Sequence, residues 1–577
     1  MQREAASRSA DLGRRGSGDA PQSSNRSPRA GTRPPFSAPA LALAALCLVG
    51  LAAVFLRLAA LESDAERAAE DFVGAWERSD YPAMHALLTP GTRRRTSAAG
   101  LARAYERARE TATTTEVRAG KPEGRGDEVL VPIAVNTRAF GRIRGEIVLP
   151  VPESAVAWSP HLVFPGLKEG ERLRGRTQAP RRAAILDRTG KPIVSGPASA
   201  RQVRALGGQA IAGAVGKPQT PAQREEANLR GLPPDAPIGL FGLESMLERE
   251  VAGKPGGVLL AGTRRIGASP PRPAPGVRST IDTGLQALAD RVLADRLGGI
   301  AVLDAETAEV RALSGLAFSG PQPPGSTFKI VTATAALERR VVELSTSFPV
   351  KRGASVGGGW IENADGEACG GDLVESFAHS CNSVFAPLGV RVGAEQLVDV
   401  AERYGFNERP SVRGARASTL PTAAAITSKR ELGATAIGQG RILATPLQLA
   451  SMAQAVASEG RRLSPTVLAD GPGRAARQVT APAVARAVGS LMAAVVERGT
   501  GRRAGVKGLR VAGKTGTAEL GGSGGGAATP TDTDAWFAAY APAERPRIAL
   551  AIMLVRQGQG GETAAPLARE ILTAGVR

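Results

Sequence analysis

Cysteine and histidine are scarce in this chain, since each occurs only three times in 577 residues. The six residues stand in unrelated sequence contexts: Cys47, His85, His161, Cys369, His379 and Cys381. None of them has the spacing of metal ligands, and each histidine is best interpreted as an ordinary surface or core residue. We therefore expect no metal site and no cofactor.

Aromatic residues make up only 4% of the chain, although its formal net charge is +19. Such a basic balance can indicate nucleic-acid binding, but proteins of that class also carry base-stacking aromatics or zinc motifs, and neither appears here. We therefore expect no nucleic-acid partner. Anionic lipid headgroups and wall polymers are the polyanions that remain, and the alternative is an arginine-rich surface without a partner.

Lysine is also rare, because only ten of the 73 basic residues are lysine and the others are arginine. A guanidinium group cannot give up its proton, whereas the pKa of a lysine amine shifts readily when the amine is buried. A lysine inside a motif of this chain therefore indicates that the chemistry needs an amine. Lys329 and Lys514 occupy such positions.

The N-terminal part of the chain predicts a membrane anchor. Residues 1–36 are rich in Arg, Ser, Gly and Pro without apolar periodicity, which predicts a disordered basic cytoplasmic tail. Ala38 to Leu56 contains no charge in 19 residues, enough to cross most of a bilayer core. We predict one transmembrane helix within residues 37–61.

Charge on either side of this span predicts its orientation. Arginines precede it and acidic residues follow it, so the N-terminus should face the cytoplasm and everything beyond Leu61 should lie outside. The alternative is a cleaved signal peptide, but the basic region is too long and the apolar run exceeds the usual length of about 7–15 residues.

Three folded domains are predicted beyond the anchor, as the length of the chain suggests. Residues 62–160 show amphipathic helical patterns followed by strand-like runs, which predicts an α+β spacer domain. Residues 161–282 are punctuated by Gly and Pro around a hairpin at 184–194 and should be structural. Residues 283–577 begin with a predicted helix from Thr283 to Leu297 and have predicted strands near both ends, one of which starts at Leu509 and ends at Lys514. Strands at both ends with helices between them favour an α+β fold with a mostly antiparallel sheet.

Ser326 and Lys329 form the motif around which the last domain is organised. They are three residues apart at a predicted helix start, so both side chains should share one face and the amine can accept the hydroxyl proton. The free N–H groups of a helix start also favour an oxyanion beside Ser326. Taken alone, the pair is weak evidence for catalysis, because serine and lysine at this spacing are more often a helix cap followed by a solvated lysine.

Two further motifs favour catalysis. Ser380-Cys381-Asn382 and Lys514-Thr515-Gly516 follow in the order S-x-x-K, S-x-N, K-T-G, which is the signature set of penicillin-binding proteins and class A β-lactamases. The chain resembles the class B penicillin-binding proteins, which are monofunctional membrane-anchored transpeptidases. Residues 161–282 resemble the pedestal, or dimerisation-like, domain of that family, and residues 62–160 resemble the cone-like, nuclear-transport-factor-like domain of some members.

The resemblance implies a role for each motif residue. Ser326 is expected to be the nucleophile and Lys329 its general base, which must be neutral and therefore needs a lowered pKa. Lys514 is expected to supply the second positive charge that lowers it. Ser380 is expected to relay a proton to the leaving amine, and Asn382 to hold a peptide group of the substrate.

The remaining roles concern the substrate. The resemblance implies that Thr515, Gly516 and Thr517 bind the terminal carboxylate end, and that the backbone N–H groups of Ser326 and Thr517 form the oxyanion hole. The implied reaction is acyl transfer from D-alanyl-D-alanine to an amine on a neighbouring stem peptide, which forms a peptidoglycan cross-link. Stem peptides and β-lactam antibiotics are therefore the expected ligands, and a separate glycan polymerase is the expected partner.

Several alternatives stay open at this stage. A D,D-carboxypeptidase differs only in using water as the acceptor, and a β-lactamase would need a deacylating Glu-x-x-Leu-Asn stretch that is missing between Asn382 and Lys514. A membrane β-lactam receptor and a non-catalytic scaffold are the alternatives from another class. A disulfide between Cys369 and Cys381 is permitted outside the cell but is not required by the sequence.

Overall fold

The computed structural model describes residues 64–471, 475–520 and 532–577. The predicted tail (1–36) and the whole of the predicted anchor (37–61), with its apolar run from Ala38 to Leu56, lie outside these ranges. Within the described ranges, no helix has the length and apolar character needed to cross a bilayer.

Residues 64–158 form a unit of helices followed by an antiparallel sheet. The helices are 64–77 (α1), Tyr81–Ala86 (α2), Pro90–Arg95 (α3) and Ala98–Thr111 (α4). The strands are Thr114–Ala119 (β1), Glu123–Arg125 (β2), Glu128–Thr137 (β3) and Arg142–Pro150 (β4). Strand β3 pairs with all three others. The order predicted for this region is therefore present, while its likeness to a nuclear-transport-factor-like domain stays a prediction.

Aromatic residues build the core of this first unit. Phe72, Trp76 and Tyr105 are at most 7% exposed, and Trp158 Nε1 donates to the Tyr105 hydroxyl oxygen at 3.2 Å. Helix α4 is capped by Ser97, whose side chain accepts the Gly100 N–H and so satisfies one of the free donors of the first turn.

The middle region, from residue 173 to 278, consists of short elements. They are Leu173–Gln178 (β5), Ile185–Leu186 (β6), Pro192–Ser195 (β7), Gln202–Val203 (β8), Gly208–Ala212 (α5), Ala214–Gly216 (β9), Pro221–Leu229 (α6), Ile238–Phe241 (β10), Gly242–Met246 (α7), Glu248–Val251 (α8), Gly256–Ala261 (β11), Arg264–Ser269 (β12) and Val277–Arg278 (β13). The predicted hairpin at 184–194 is the antiparallel pair of β6 and β7.

A buried ionic network holds these short elements together. Arg182 is 3% exposed at its side chain and contacts Glu244 (Nε to Oε2, 2.5 Å) and Glu248 (Nη2 to Oε2, 2.6 Å). Arg201 and Arg230 contact the same two carboxylates at 2.6 and 2.7 Å. Charges this deeply buried persist only when each has such partners.

Hydrophobic contacts cross both predicted domain boundaries. Leu259 and Ala261 of β11 are buried in the aromatic core of the first unit, whereas Ile185 and Ile193 share a core with the last region. The middle region therefore packs against both of its neighbours, and the boundaries at 160 and 282 stay predictions.

The last region contains the largest sheet and most of the helices. Its strands are Gly298–Asp304 (β14), Val310–Gly315 (β15), Phe348–Lys351 (β16), Gly353–Val356 (β17), Gly359–Glu362 (β18), Cys369–Gly371 (β19), Arg461–Leu463 (β20), Ala476–Gln478 (β21), Ala512–Glu519 (β22), Thr533–Ala541 (β23) and Ile548–Leu554 (β24). Its helices are Thr283–Leu293 (α9), Lys329–Glu338 (α10), Leu373–Ala378 (α11), Asn382–Val392 (α12), Ala394–Arg403 (α13), Lys429–Ala436 (α14), Pro446–Ala457 (α15), Pro482–Glu497 (α16) and Ala564–Gly575 (α17).

Five of these strands form an antiparallel sheet in the order β15-β14-β24-β23-β22. Alternate side chains along each strand enter two different cores, because successive residues of a strand point to opposite faces. One core contains α10, α12, α15 and α16, and the other contains α9 and α17. The predicted α+β fold with an antiparallel sheet is confirmed.

Two predicted boundaries differ from the structure. Helix α9 ends at Leu293, not at Leu297, because Ala294 adopts a positive φ of 47° that stops the helix. The sequence placed Lys514 at the end of a strand beginning at Leu509, but β22 begins at Ala512 and runs to Glu519. The K-T-G motif therefore lies inside β22, an edge strand of the five-stranded sheet, where its backbone can face a ligand.

Candidate active site

Ser326 lies in a tight turn that leads into helix α10. Gly325–Phe328 is a 3-10 turn, and α10 begins at Lys329, so the predicted helix start is one turn further along than expected. Gly325 has a φ of +52°, and a Cβ there would lie 2.5 Å from the Thr517 carbonyl oxygen. Only glycine fits this position, which brings the Ser326 turn directly against β22.

Lys329 is the most connected residue of the site. Its side chain has no exposed surface, and its Nζ lies 3.0 Å from Ser326 Oγ, 2.6 Å from the Ser380 carbonyl oxygen and 2.6 Å from Asn382 Oδ1. Both carbonyl-type oxygens can only accept, so they use the two hydrogens of a neutral amine. When the amine is neutral, its lone pair is left for the Ser326 hydroxyl, which can then donate to it.

The S-x-N motif occupies the junction between α11 and α12. Ser380 has a φ of 60°, which turns its carbonyl oxygen and its hydroxyl towards Lys329, and Asn382 is the first residue of α12. The Asn382 Nδ2 donates to the Glu362 carbonyl oxygen at 2.8 Å. This bond fixes the orientation of the amide, so that Oδ1 faces Lys329.

A disulfide bond joins Cys369 to Cys381, with 5.8 Å between the Cα atoms. The possibility that the sequence left open is therefore realised in the structure. Cys381 stands between the two functional residues of the S-x-N motif and is fully buried. The bond attaches this motif to strand β19.

Lys514 completes the polar centre from the other side. It is fully buried on β22, and its Nζ donates to Ser380 Oγ at 2.8 Å and to the Thr515 carbonyl oxygen at 3.1 Å. The Ser380 hydroxyl therefore lies between the two amines, 3.2 Å from Lys329 Nζ. It is the group through which a proton can pass between Lys329 and a ligand.

Burial sets the charge of this centre. It lowers the pKa of Lys329 well below the usual range, and the neighbouring charge of Lys514 lowers it further. Burial also lowers the pKa of Lys514, to about 7. Two causes thus lower the pKa of Lys329 and only burial lowers that of Lys514, so Lys329 is the first of the two amines to lose its proton.

The rest of the K-T-G segment lies beside the Ser326 turn. A Cβ at Gly516 would lie 2.7 Å from the Pro324 carbonyl oxygen, so this glycine allows strand and turn to touch. Thr515 is buried and Thr517 is half-buried. The backbones of Ser326 and Thr517, predicted to form an oxyanion hole, thus belong to segments in direct contact, and that role stays a prediction.

All eight residues singled out from the sequence therefore lie around one centre, while two contributors were missed. Glu362 contributes only a backbone oxygen, for which no sequence signal exists. Thr500 places its Oγ1 2.6 Å from Thr515 Oγ1. The stretch Gly499-Thr500-Gly501 directly after a long apolar helix is a signal that could have drawn attention to it.

This geometry supports nucleophilic catalysis by acyl transfer. Ser326 faces a buried amine whose pKa is lowered, two fixed oxygens orient that amine, and a second hydroxyl connects it to Lys514. No group of three or more histidine, cysteine or acidic side chains in the described part of the chain is arranged to hold a metal.

The chain is similar to known proteins. A family model described as penicillin binding protein transpeptidase domain matches residues 298–573. Peptidoglycan D,D-transpeptidase PbpA of Mycolicibacterium smegmatis is 33% identical over 291 residues, which cover 45% of this chain and 56% of that protein. Penicillin-binding protein PbpB of the same organism is 30% identical over 399 residues, which cover 58% of this chain and 60% of that protein. The chain thus spans little more than half the length of these relatives.

Solved structures agree at the level of the fold. The crystal structure of penicillin binding protein 3 from Mycobacterium tuberculosis in complex with aztreonam is 26% identical, with a TM-score of 0.56. The match covers 69% of this chain and 96% of that one. The α+β transpeptidase fold is common to both.

The depressed pKa of Lys514 predicts a pH-dependent stability difference. The amine is protonated in the unfolded chain up to a pKa of about 10.4 but only up to about 7 in the folded protein. The buried, protonated amine therefore destabilises the folded protein by the full amount below pH 7, and this destabilisation disappears as the pH rises towards 10. Lys514→Met removes this destabilisation. The stability of the variant relative to the parent should therefore be highest at pH 6–7 and fall by up to roughly 4 kcal/mol towards pH 10.

Thermal melting from pH 6 to pH 10 measures this difference. Lys507→Met is the matched control, because Lys507 is exposed in the same domain and its replacement should give a difference that does not vary with pH. If the stability difference between Lys514→Met and the parent does not change with pH, the pKa of the buried Lys514 amine is not lowered.

Proposed function

Because residues 298–573 form a transpeptidase domain of the penicillin-binding protein kind, we propose that the protein is a serine D,D-transpeptidase that cross-links peptidoglycan stem peptides. The observation that carries the proposal is the 3.0 Å contact between Ser326 Oγ and the Nζ of Lys329, whose hydrogens are engaged by two carbonyl-type oxygens. An amine in that state can only accept the serine proton.

The proposed first half-reaction is acylation of Ser326. Its Oγ attacks the carbonyl carbon of the penultimate D-alanine while the hydroxyl proton moves to Lys329. The oxyanion that forms is stabilised by the backbone N–H groups of Ser326 and Thr517. Collapse breaks the amide bond, and the terminal D-alanine leaves after its nitrogen receives the proton through the Ser380 hydroxyl.

The second half-reaction transfers the acyl group to an amine of a neighbouring stem peptide. The amine nitrogen attacks the ester carbonyl, loses a proton to the centre of Lys329 and Ser380, and releases Ser326. Lys514, Thr515 and Thr517 are proposed to bind the terminal carboxylate of the donor peptide, beside Gly516, whose lack of a side chain leaves the strand open.

Asn382 has a double role in this proposal. Its Oδ1 orients Lys329 and one hydrogen of its Nδ2 is used by Glu362. The second hydrogen of Nδ2 remains for a peptide carbonyl of the substrate, since an amide group carries two. The residue therefore links substrate binding to the orientation of the base.

We further propose that residues 37–61 anchor the protein in the bacterial cell membrane by a single span, with the catalytic domain outside. Residues 62–160 and 161–282 are proposed to act as a nuclear-transport-factor-like spacer and as a pedestal that hold the catalytic domain away from the membrane. Glycan polymerisation is proposed to come from a separate enzyme, and β-lactams are proposed to acylate the same serine.

Intact-mass spectrometry of residues 62–577 with benzylpenicillin tests the acylation directly. We expect one adduct with the full mass of the drug on Ser326. The adduct should be lost slowly, because the Glu-x-x-Leu-Asn stretch that a β-lactamase would need for deacylation is missing between Asn382 and Lys514. Ser326→Ala is the control and should give no adduct. Rapid, repeated hydrolysis of the drug would instead favour a β-lactamase.

Replacement of Lys329 by methionine separates a catalytic role from a structural one. Methionine matches the length of the buried side chain but cannot accept a proton, so acylation should slow by at least the 10²- to 10⁴-fold that is typical of proton-transfer catalysis. The variant should still fold, because removal of the buried amine and loss of the donor to the Ser380 and Asn382 oxygens affect stability in opposite directions. The measurement is the second-order rate of labelling by a fluorescent penicillin, with Lys507→Met as control. Labelling within about tenfold of the parent would contradict the assignment of the base.

A topology reporter tests the proposed anchor. A protein that is active only in the cytoplasm, fused after Arg577, should be inactive, whereas one that is active only outside should be active, because the charge distribution around residues 38–56 places the C-terminal side outside. The reverse pattern would contradict the membrane orientation without affecting the proposed chemistry.

A further inference from the structure

Thr500 is anchored to the S-x-N side of the active site. It follows Gly499 in the turn after α16, and a Cβ at Gly499 would lie 2.1 Å from the Ala378 carbonyl oxygen. The glycine therefore lets this turn press against the end of α11, where the Thr500 N–H donates to the same oxygen at 3.0 Å. Ala378 precedes Ser380 by only two residues.

The side chain of Thr500 reaches the K-T-G side. Its Oγ1 lies 2.6 Å from Thr515 Oγ1, one residue along β22 from Lys514. Thr515 is only 5% exposed, whereas Thr500 belongs to the exposed residues. Thr500 thus connects the K-T-G motif to the end of α11, just before the S-x-N motif, and is the member of the hydroxyl pair that faces the solvent.

The hydrogen bonds of the pair leave one O–H group for a ligand. Two hydroxyls at 2.6 Å share one hydrogen, so one of the two O–H groups is used and the other is not. The competing acceptor of Thr500 Oγ1 is the Ala378 carbonyl oxygen at 3.4 Å, near the outer limit of a hydrogen bond. Because Thr515 is enclosed, the arrangement favours Thr515 as the donor to Thr500 and leaves the Thr500 O–H pointing outwards.

A carboxylate can only accept hydrogen bonds, so a site that selects it needs donors and positive charge. We propose that Thr500 donates a hydrogen bond to the terminal carboxylate of the stem peptide, and to the equivalent carboxylate of β-lactams. Because the only O–H of Thr515 is used by Thr500 in this arrangement, Thr515 acts on the carboxylate through Thr500 and not by direct contact. This assigns a specificity-determining residue outside the three motifs. The inference rests on the proposed function, because it concerns the ligand of that same site.

The test compares two probes on the same variants: benzylpenicillin and its methyl ester, which lacks the charged carboxylate. For each probe, intact-mass spectrometry gives the second-order rate of adduct formation on Ser326. Thr500→Val keeps the shape and removes the hydroxyl, whereas Thr500→Ser retains it. Thr573→Val is the matched control, because the Thr573 hydroxyl bonds only to the Arg569 carbonyl oxygen of its own helix among the described contacts.

Thr500→Val should slow the reaction with benzylpenicillin by about ten- to a hundredfold, the effect of losing a hydrogen bond to a charged group. The reaction with the methyl ester should change by less than about threefold, and Thr500→Ser should stay within about threefold of the parent for both probes. A misfolded fraction lowers both rates equally, so the ratio of the two rates reports the carboxylate contact alone.

Two outcomes would overturn the inference: equal slowing of both probes by Thr500→Val, or no slowing of either. Absence of any adduct on the parent protein with both probes is a different result. It would overturn the proposed acylation of Ser326, on which the inference rests, and not the assignment of Thr500 within it.

Discussion

The hydrogen bonds of one buried amine constrain the whole active site. Lys329 Nζ lies 2.6 Å from two oxygens that can only accept, those of Ser380 and Asn382. Burial and the neighbouring Lys514 charge favour the neutral form, in which both hydrogens are committed to these oxygens and the lone pair faces Ser326. A protonated amine would instead donate its third hydrogen to Ser326 Oγ and could not act as a base. The position, the charge and the hydrogen-bond directions of the Lys329 amine therefore depend on one another.

The positions of these two oxygens depend on residues outside the S-x-N motif. The Cys369 to Cys381 disulfide and the bond from Asn382 Nδ2 to the Glu362 carbonyl oxygen tie the S-x-N motif to the segment from β16 to β19. The buried side chain of Asn363 adds a third link, because its Oδ1 accepts the Ser383 N–H at 2.7 Å. That segment, which carries no motif residue, thus orients the acceptors of the catalytic amine.

Close backbone approach is the second requirement of the site. The Ser326 turn touches β22 only because Gly325 and Gly516 lack side chains, and the turn that carries Thr500 touches α11 only because Gly499 does. At each glycine, the missing side chain allows two segments that belong to no common motif to touch. The three motifs are consequently brought together by contacts between neighbouring backbones as much as by the motif side chains.

The sequence alone predicted the chemistry and determined the class of fold. Three short motifs in a set order, with lysine retained in an arginine-rich chain, predicted which residues would meet, and strand and helix periodicity predicted the α+β fold with its antiparallel sheet. Tertiary structure decided what depends on distance. Local patterns could not reveal that Lys329 is fully enclosed, that Cys369 and Cys381 are bonded, or that Thr500 lies beside Thr515. Burial, bond direction and backbone proximity arise from segments far apart in the chain, and periodicity carries no information about them.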